Sequence, residues 1–155
     1  DAQKSKFEDS DLVFGMSDEQ INLVKHHTVK RILKAGERFD GSHDELGMIS
    51  IIKVGLVDIF ENSDPSINGE KNKRLFSYKP GSIIGEVSFI DGGLRSAEVK
   101  CRRDTELWCL SRHNFDQIAK DDPEIALKLW NNLAWVLASR LRSTNSIVGE
   151  LKTSV

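Results

Sequence analysis

The chain has 155 residues, of which 39% are hydrophobic, and a formal net charge of -2 at pH 7. This length supports one well-buried core and is short for two typical domains, so residues 1–155 are expected to form a single domain. The small negative charge, with lysines and arginines scattered along the chain, argues against binding of DNA or RNA by this chain alone. No apolar run approaches the roughly 20 residues of a membrane span, and no signal-peptide pattern opens the chain, so a cytoplasmic protein without membrane insertion is expected.

The first predicted element is a short helix near the N-terminus. Ser17 followed by Gln20 is typical of a helix start, and the pattern predicts a helix from Ser17 to His27 within an N-terminal helical region at residues 12–28.

Residues 29–111 then show short β-rich runs separated by turn-forming residues. The predicted strands are Val29–Leu33, Met48–Val54, Leu56–Phe60, Arg74–Tyr78, Ser96–Cys101 and Glu106–Leu110. Many short strands with regular turns favour a jelly-roll-like barrel, or double-stranded β-helix. The fold class predicted is therefore mainly β with flanking α-helices. The polar stretch Glu61–Lys73 is predicted to be an exposed, mobile hairpin loop.

Cys101 and Cys109 are the only cysteines, and each lies in an apolar, strand-like stretch. Free buried thiols are expected rather than a disulfide. The four histidines lack a metal-ligand spacing such as HxH or HxxxH, so no metal site is predicted. Neither a Gly-x-Ser-x-Gly motif nor a cysteine with a plausible paired histidine is found, which argues against an enzyme.

The C-terminal part, residues 112–152, has a helical pattern. A first helix is predicted around His113 to Lys120, and a second begins at Asp122, with Pro123 at the first helical position, and runs to about Leu151. Along it one set of residues recurs at spacings of four and three, which we call the seam: Trp130, Ala134, Leu137, Leu141, Thr144, Val148 and Leu151. Such a heptad pattern predicts a homodimer through this helix. Leu129, Leu133 and Val136 lie beside the seam and are expected to face the barrel.

The segment Pro80–Ala97, PGSIIGEVSFIDGGLRSA, combines a Gly-Glu pair with an Arg-Ser-Ala triplet that starts nine positions after the glutamate. Gly85 would let the backbone approach a ligand closely. A helical turn over Val87 to Ile90, which contains Ser88, would point its free N–H groups at an anion. Glu86 would accept a hydrogen bond from a ribose hydroxyl, while the Arg95 guanidinium would pair with a phosphate. The segment therefore predicts a phosphate-and-ribose pocket.

Gly85, Glu86, Arg95, Ser96 and Ala97 stand in the order of the phosphate-binding cassette of a known family. The chain resembles, over nearly its whole length, the cyclic-nucleotide-binding domain shared by catabolite activator protein and the regulatory subunits of cAMP-dependent protein kinase. Pro80-Gly81 before the cassette, and Leu110-Ser111-Arg112 with Phe115 after it, match the family's flanking pattern as well.

The resemblance implies a regulatory module that binds cAMP or cGMP, with cAMP favoured, and that uses no other cofactor. Its cassette residues would be Gly85, Glu86, Val87, Ser88, Arg95, Ser96 and Ala97. Occupancy would be transmitted through the C-terminal helix to an output domain fused to this chain. Relatives carry a helix-turn-helix, a kinase, a channel or a bacterial sulfate-permease-like transporter. The stretch from Asp121 to Asn145 favours the last group, which would make the chain a cytoplasmic domain of a membrane protein.

Several alternatives stay open. Thr144 either contacts the base, as the corresponding helix does in catabolite activator protein, or fixes the register of a helix pair. Ser96 suits the guanine amino group of cGMP or the phosphate of cAMP. The cassette either binds a nucleotide or is a remnant in a nucleotide-free dimerisation or docking module. The domain could also be the sensor half of a helix-turn-helix transcription regulator.

Overall fold

The computed structural model of the chain describes residues 3–39, 47–61, 74–93 and 97–153. Within these ranges the structure has eight strands, four α-helices and two 3₁₀ helices. The strands are β1 (Val29–Leu33), β2 (Arg38–Phe39), β3 (Met48–Val54), β4 (Val57–Glu61), β5 (Arg74–Tyr78), β6 (Ile83–Ile84), β7 (Ala97–Cys101) and β8 (Thr105–Ser111). The helices are η1 (Phe7–Asp9), η2 (Asp11–Val13), α1 (Asp18–His26), α2 (Glu86–Asp91), α3 (Arg112–Asp121) and α4 (Pro123–Thr153).

The strands form two antiparallel four-stranded sheets. The first has the order β1-β8-β3-β6 and the second the order β2-β7-β4-β5. The apolar residues between the sheets form one core cluster, consisting of Leu33, Ile52, Val57, Ile84, Val99, Cys101, Leu107 and Cys109. The fold class is thus confirmed as a mainly β, jelly-roll-like barrel with a short N-terminal and a long C-terminal helix.

A second core cluster lies on the other side of the first sheet, where the helices cover it. Ile49, Ile51 and Leu110 of that sheet are buried against apolar residues of the helices: Phe7, Leu12, Val24, Phe115, Ile118, Ile125, Leu129 and Leu133. The first sheet is therefore apolar on both faces. Burial of these apolar side chains holds the N-terminal and C-terminal helices against the sheet.

Helices α1 and α4 begin at the capping residues predicted from the sequence. The Ser17 hydroxyl accepts a hydrogen bond from the Gln20 N–H at 3.2 Å, and the Ser17 N–H donates to the Gln20 amide oxygen at 3.1 Å. At α4, Asp122 Oδ1 accepts from the Ile125 N–H at 3.3 Å. Both helices begin where these residues satisfy otherwise free N–H groups.

Other predictions concern the loops and thiols. Cys101 and Cys109 are free and buried, as expected, and burial raises the pKa of the Cys101 thiol although a hydrogen bond with Thr105 lowers it. Of the predicted hairpin loop Glu61–Lys73, residues 62–73 lie outside the described residues. No helix in the described ranges is long and apolar enough to cross a membrane.

The C-terminal helix α4 has two parts with different surroundings. Leu129, Leu133 and Val136 are buried against the barrel side, as predicted. Beyond Arg140 every residue of α4 from 141 to 153 is exposed. The C-terminal 13 of the 31 residues of this helix therefore extend past the rest of the described domain.

Candidate functional site

The cassette begins at a glycine with a backbone that other residues rarely adopt. Gly85 has φ +83° and is the N-cap of α2, whose Phe89 N–H donates to the Gly85 carbonyl at 3.1 Å. A residue with a Cβ is strained at this φ, because the left-handed region favours glycine. This conformation turns the chain sharply from β6 into α2, and places Glu86 at the first helical position.

The Glu86 side chain is only 13% exposed and is paired with an arginine from a distant helix. Arg140 of α4 brings Nη1 to 2.6 Å from Glu86 Oε1, and its Nη2 donates to the carbonyl of Ile83 just before the cassette. An arginine is suited to this role because its planar fork holds two acceptors at once. Arg140 therefore joins the C-terminal helix to the cassette.

Tyr78 at the end of β5 completes this contact. The Arg140 guanidinium lies 4.7 Å from the centre of the Tyr78 ring, and the Phe76 ring stacks near Tyr78 with a centroid distance of 6.3 Å. Burial raises the pKa of the Tyr78 phenol, the Arg140 charge opposes this rise, and the Glu86 charge adds to it. The tyrosine thus stays neutral and offers Arg140 a cation–π contact.

A second, apolar contact joins the cassette helix to α3 and α4. The Phe89 ring lies 5.4 Å from that of Phe115 and 6.0 Å from that of Trp130, and the last two are 4.9 Å apart. Arg112 covers this cluster, 5.0 Å from the Trp130 ring, and its Nη1 donates to the Phe89 carbonyl at 3.0 Å. The position of the cassette helix is therefore coupled to both C-terminal helices through packing.

The structure places the predicted site residues as follows. Gly85, Glu86, Val87 and Ser88 form the first turn of the cassette, with Val87 exposed and Ser88 buried. Ala97 begins β7, while Arg95 and Ser96 lie outside the described residues. Thr144 is exposed on α4, where its hydroxyl donates to the Arg140 carbonyl at 3.0 Å.

Sequence reasoning missed Arg140 and Tyr78 as site residues. Arg140 lies one helical turn before Thr144, and this i, i+4 spacing was the available signal, since both residues share one face of α4. Nothing in the sequence around Tyr78 separates it from an ordinary strand tyrosine. Its role depends on Arg140, which only the fold brings close.

The family model described as "Cyclic nucleotide-binding domain" matches residues 30–122. Among curated proteins, the chain is similar to the cyclic AMP receptor protein of Thermus thermophilus, with 29% identity over 136 residues, or 88% of this chain and 59% of that protein. It is also similar to the cAMP-dependent protein kinase regulatory subunit of Dictyostelium discoideum, with 28% identity over 74% of this chain and 34% of that protein. The chain thus spans less than two thirds of either relative.

Among solved structures, the chain is similar to the catabolite activator protein of Thermus thermophilus, with a TM-score of 0.76 and 27% identity over 92% of this chain and 63% of that chain. The matched family consists of regulatory, non-catalytic domains, which agrees with the prediction that this chain is not an enzyme. With the family match over more than half of its residues, and a cassette at the expected place in a jelly-roll-like barrel, this chain belongs to the cyclic nucleotide-binding domain family.

Proposed function

We propose that this domain binds cAMP at the cassette and transmits its occupancy through the C-terminal helix. The observation that carries the proposal is the ion pair of Glu86 with Arg140. It connects the residue expected to contact the ligand with the helix expected to carry the signal. A change in what Glu86 binds must therefore alter the forces on α4.

The proposed binding chemistry divides among four groups. Glu86 accepts a hydrogen bond from the ribose 2′-hydroxyl, and Arg95 pairs with the cyclic phosphate. Gly85, with its positive φ, allows close approach of the backbone, and the N–H groups of the first turn of α2 face the anion. Thr144 would contact the base from α4, one turn beyond Arg140.

The proposed relay uses both contacts between α2 and the C-terminal helices. A ligand hydroxyl that competes for Glu86 weakens or redirects the Arg140 pair, and a shift of α2 moves Phe89 against Trp130. Binding would then bias α4 between two positions, which is a population shift.

Support for cAMP rather than cGMP comes from two relatives. The Thermus thermophilus protein is named a cyclic AMP receptor protein, and the Dictyostelium discoideum protein a cAMP-dependent kinase regulatory subunit. Ser96 suits either nucleotide, so the base preference is a question for direct measurement.

Calorimetric titration of the domain with cAMP, cGMP and 2′-deoxy-cAMP tests the binding proposal, with 5′-AMP as the non-cyclic control. We expect cAMP to bind most tightly, and the 2′-deoxy form to lose about tenfold in affinity, because the hydrogen bond from the 2′-hydroxyl to Glu86 is then lost. Arg95→Ala should abolish most binding and Arg95→Lys should weaken it, because a point charge does not replace the fork. Arg142→Ala is the matched control, since Arg142 is exposed on α4.

Two outcomes would overturn this assignment. If cGMP binds at least about tenfold more tightly than cAMP, and Ser96→Ala removes that preference, Ser96 reads the base and the ligand is cGMP. If neither nucleotide raises the thermal midpoint at millimolar concentration, the cassette is a remnant, because a ligand that binds only the folded state must stabilise it.

The transmission proposal needs its own measurement. Hydrogen exchange of α4, compared with and without saturating cAMP, should change on both sides of Arg140 and around Trp130. The same ligand-dependent change should be absent in Arg140→Met. Exchange that changes only at the cassette would show that the domain binds the nucleotide without transmitting its occupancy to α4.

A dimerisation module is the second candidate, and one observation favours it. Leu141, Val148 and Leu151 of the seam are exposed in the C-terminal part of α4, together with Ile147. Apolar residues in such a row usually mark an interaction surface. The identity of an output domain, whether a DNA-binding domain, a kinase or a transporter, stays a prediction from the sequence resemblance.

A further inference from the structure

A cavity of about 290 Å³ lies between the 3₁₀ turn η2 and the helix α4, away from the cassette residues Gly85 to Ser88. Its lining residues are Asp11, Phe14, Asn131, Asn132, Trp135 and Val136. The proposed nucleotide site uses none of them. The cavity is therefore a separate feature of the fold.

Two large aromatic side chains of this cavity are left in contact with water. Phe14 is 77% exposed and Trp135 is 75% exposed, whereas Phe7, Phe89 and Phe115 are fully buried. Aromatic side chains contribute strongly to binding when they are covered, and an exposed pair on one cavity is typical of a ligand or partner site. A molecule seated here would cover both rings.

The floor of the cavity is held rigid by a buried amide. Asn132 is 7% exposed, and its Nδ2 donates to the Leu12 carbonyl at 2.8 Å and to the Phe14 carbonyl at 2.9 Å. These bonds fix the chain at Phe14 relative to α4. Both amide hydrogens are thereby used, and within the described part of the chain no donor is seen at the remaining Oδ1. Asn132 lines the cavity, and a buried amide oxygen is normally paired with a hydrogen-bond donor.

The charge of the cavity lining indicates which kind of hydrogen-bond donor would bind there. Asp11 carries the one charge among the six lining residues, so the lining is anionic. A neighbouring cavity of about 160 Å³ shares Asp11, Trp135 and Val136 and extends to Arg140. Arg140 is already paired with Glu86, so its charge is largely compensated. A carboxylate and two aromatic rings that line one cavity are a combination that suits an organic cation.

We propose that this cavity binds a small organic cation, an alkylammonium or quaternary ammonium group with a hydroxyl or amine donor. The cation would lie against the π-systems of Phe14 and Trp135 and near the Asp11 carboxylate, and its donor would reach Asn132 Oδ1. This site is independent of the nucleotide proposal. Its occupant would bridge η2 and α4 and thereby stabilise the packing of the C-terminal helix on the N-terminal segment.

The test compares choline with 3,3-dimethyl-1-butanol, which has the same shape and hydroxyl but no charge. Binding is followed by the indole N–H resonances of Trp108, Trp130 and Trp135 in ¹⁵N-labelled protein, at constant ionic strength maintained with NaCl. We expect choline to shift the Trp135 resonance selectively, and to bind about tenfold more tightly than the neutral alcohol. Trp108 and Trp130 serve as internal references, because they do not line the cavity.

Variants separate this site from nonspecific adsorption. Asp11→Asn should weaken choline binding about fivefold or more while leaving the alcohol unaffected. Phe14→Leu should weaken choline binding as well, and it should fold because Phe14 is exposed. Leu127→Ala is the matched control, as Leu127 is exposed on α4 outside the cavity. Equal affinity for choline and the alcohol, or no Trp135 shift at about 50 mM choline, would overturn the proposal.

Discussion

Arg140 and Glu86 form a partly buried ion pair across the boundary between the barrel and the C-terminal helix, with Nη1 2.6 Å from Oε1. The arginine lies on α4 beyond the last buried apolar residue of that helix, and the glutamate opens the cassette. One side-chain contact therefore links the cassette carboxylate directly to α4.

Removing this arginine is expected to destabilise the domain. Arg140→Met leaves the largely buried Glu86 carboxylate without its partner, which should lower the free energy of unfolding by about 1–3 kcal/mol. Urea denaturation measures the loss, with the exposed Arg142→Met as the matched control. Glu86→Gln combined with Arg140→Met should cost less than the sum of the single changes. Strict additivity would show that the two side chains are not coupled in solution.

The acid dependence of stability should report on the buried carboxylate of Asp58. Burial raises the pKa of Asp58, but hydrogen bonds from Arg102 and Ser77, together with the Arg102 charge, outweigh it and lower the pKa overall. Arg102 donates to Oδ2 at 2.8 Å and to Oδ1 at 2.7 Å. Because the folded pKa lies below the unfolded one, this stabilisation is complete above about pH 4 and is lost as pH falls through the folded pKa.

Asp58→Asn provides the corresponding measurement. The variant should be less stable than the wild type at neutral pH, and the difference in the free energy of unfolding should narrow as the pH falls below about 4. Asp9→Asn, at an exposed aspartate, is the control. A difference that stays constant down to about pH 2 would refute the assignment of this acid dependence to Asp58.

Gly55, between β3 and β4, is expected to tolerate no side chain. It has φ +116°, and a Cβ there would lie 2.3 Å from Thr105 Oγ1 and 2.8 Å from the Asp104 carbonyl oxygen. Gly55→Ala should therefore destabilise by more than about 3 kcal/mol, from backbone strain and overlap together. Gly36→Ala isolates the strain, since Gly36 has φ +89° with open space around it, and should cost about 1–2 kcal/mol. If thermal melts show the same loss of stability in both variants, steric overlap at Gly55 is ruled out.

Self-association through α4 is expected to be weak and dependent on concentration, since few heptads contribute. Leu141→Glu or Val148→Glu, both at exposed seam positions, should shift the protein toward monomer in sedimentation velocity. Ser143→Glu, on another face of the same exposed part, should leave the distribution unchanged. Wild-type protein that is monomeric at high micromolar concentration would exclude this interface.

The sequence predicted those elements whose signals are local. The limits of β1, β3 and β5 match their predictions, because each is a run of at least five residues with a turn-forming Gly or Pro close to at least one end. β2 and β6 were missed, since two-residue strands are too short to show alternation. Their existence depends on pairing with β7 and β3, which is a property of the fold.

The residues of the candidate site also divide into those with a local sequence signal and those that only the fold brings together. Gly85 and Glu86 were predicted because the turn, the helix start and the carboxylate lie side by side in the chain. Arg140 was not, because its partners Glu86, Ile83 and Tyr78 come from a different part of the sequence. The large exposure of Trp135 was not predictable either, because helical spacing alone does not say which face of a helix a barrel will cover.

The exposed C-terminal part of α4 has a mechanical consequence. Residues 141–153 span about 20 Å at the usual rise of an α-helix. In the proposed relay Arg140 would be the pivot of this movement, because its side chain joins α4 to Glu86 just before the exposed part of the helix. A tilt of about 10° at the pivot would displace the far end by about 3 Å, close to the size of a side chain. A movement at Glu86 too small to disturb the barrel would thus be magnified into a displacement that a neighbouring domain could detect.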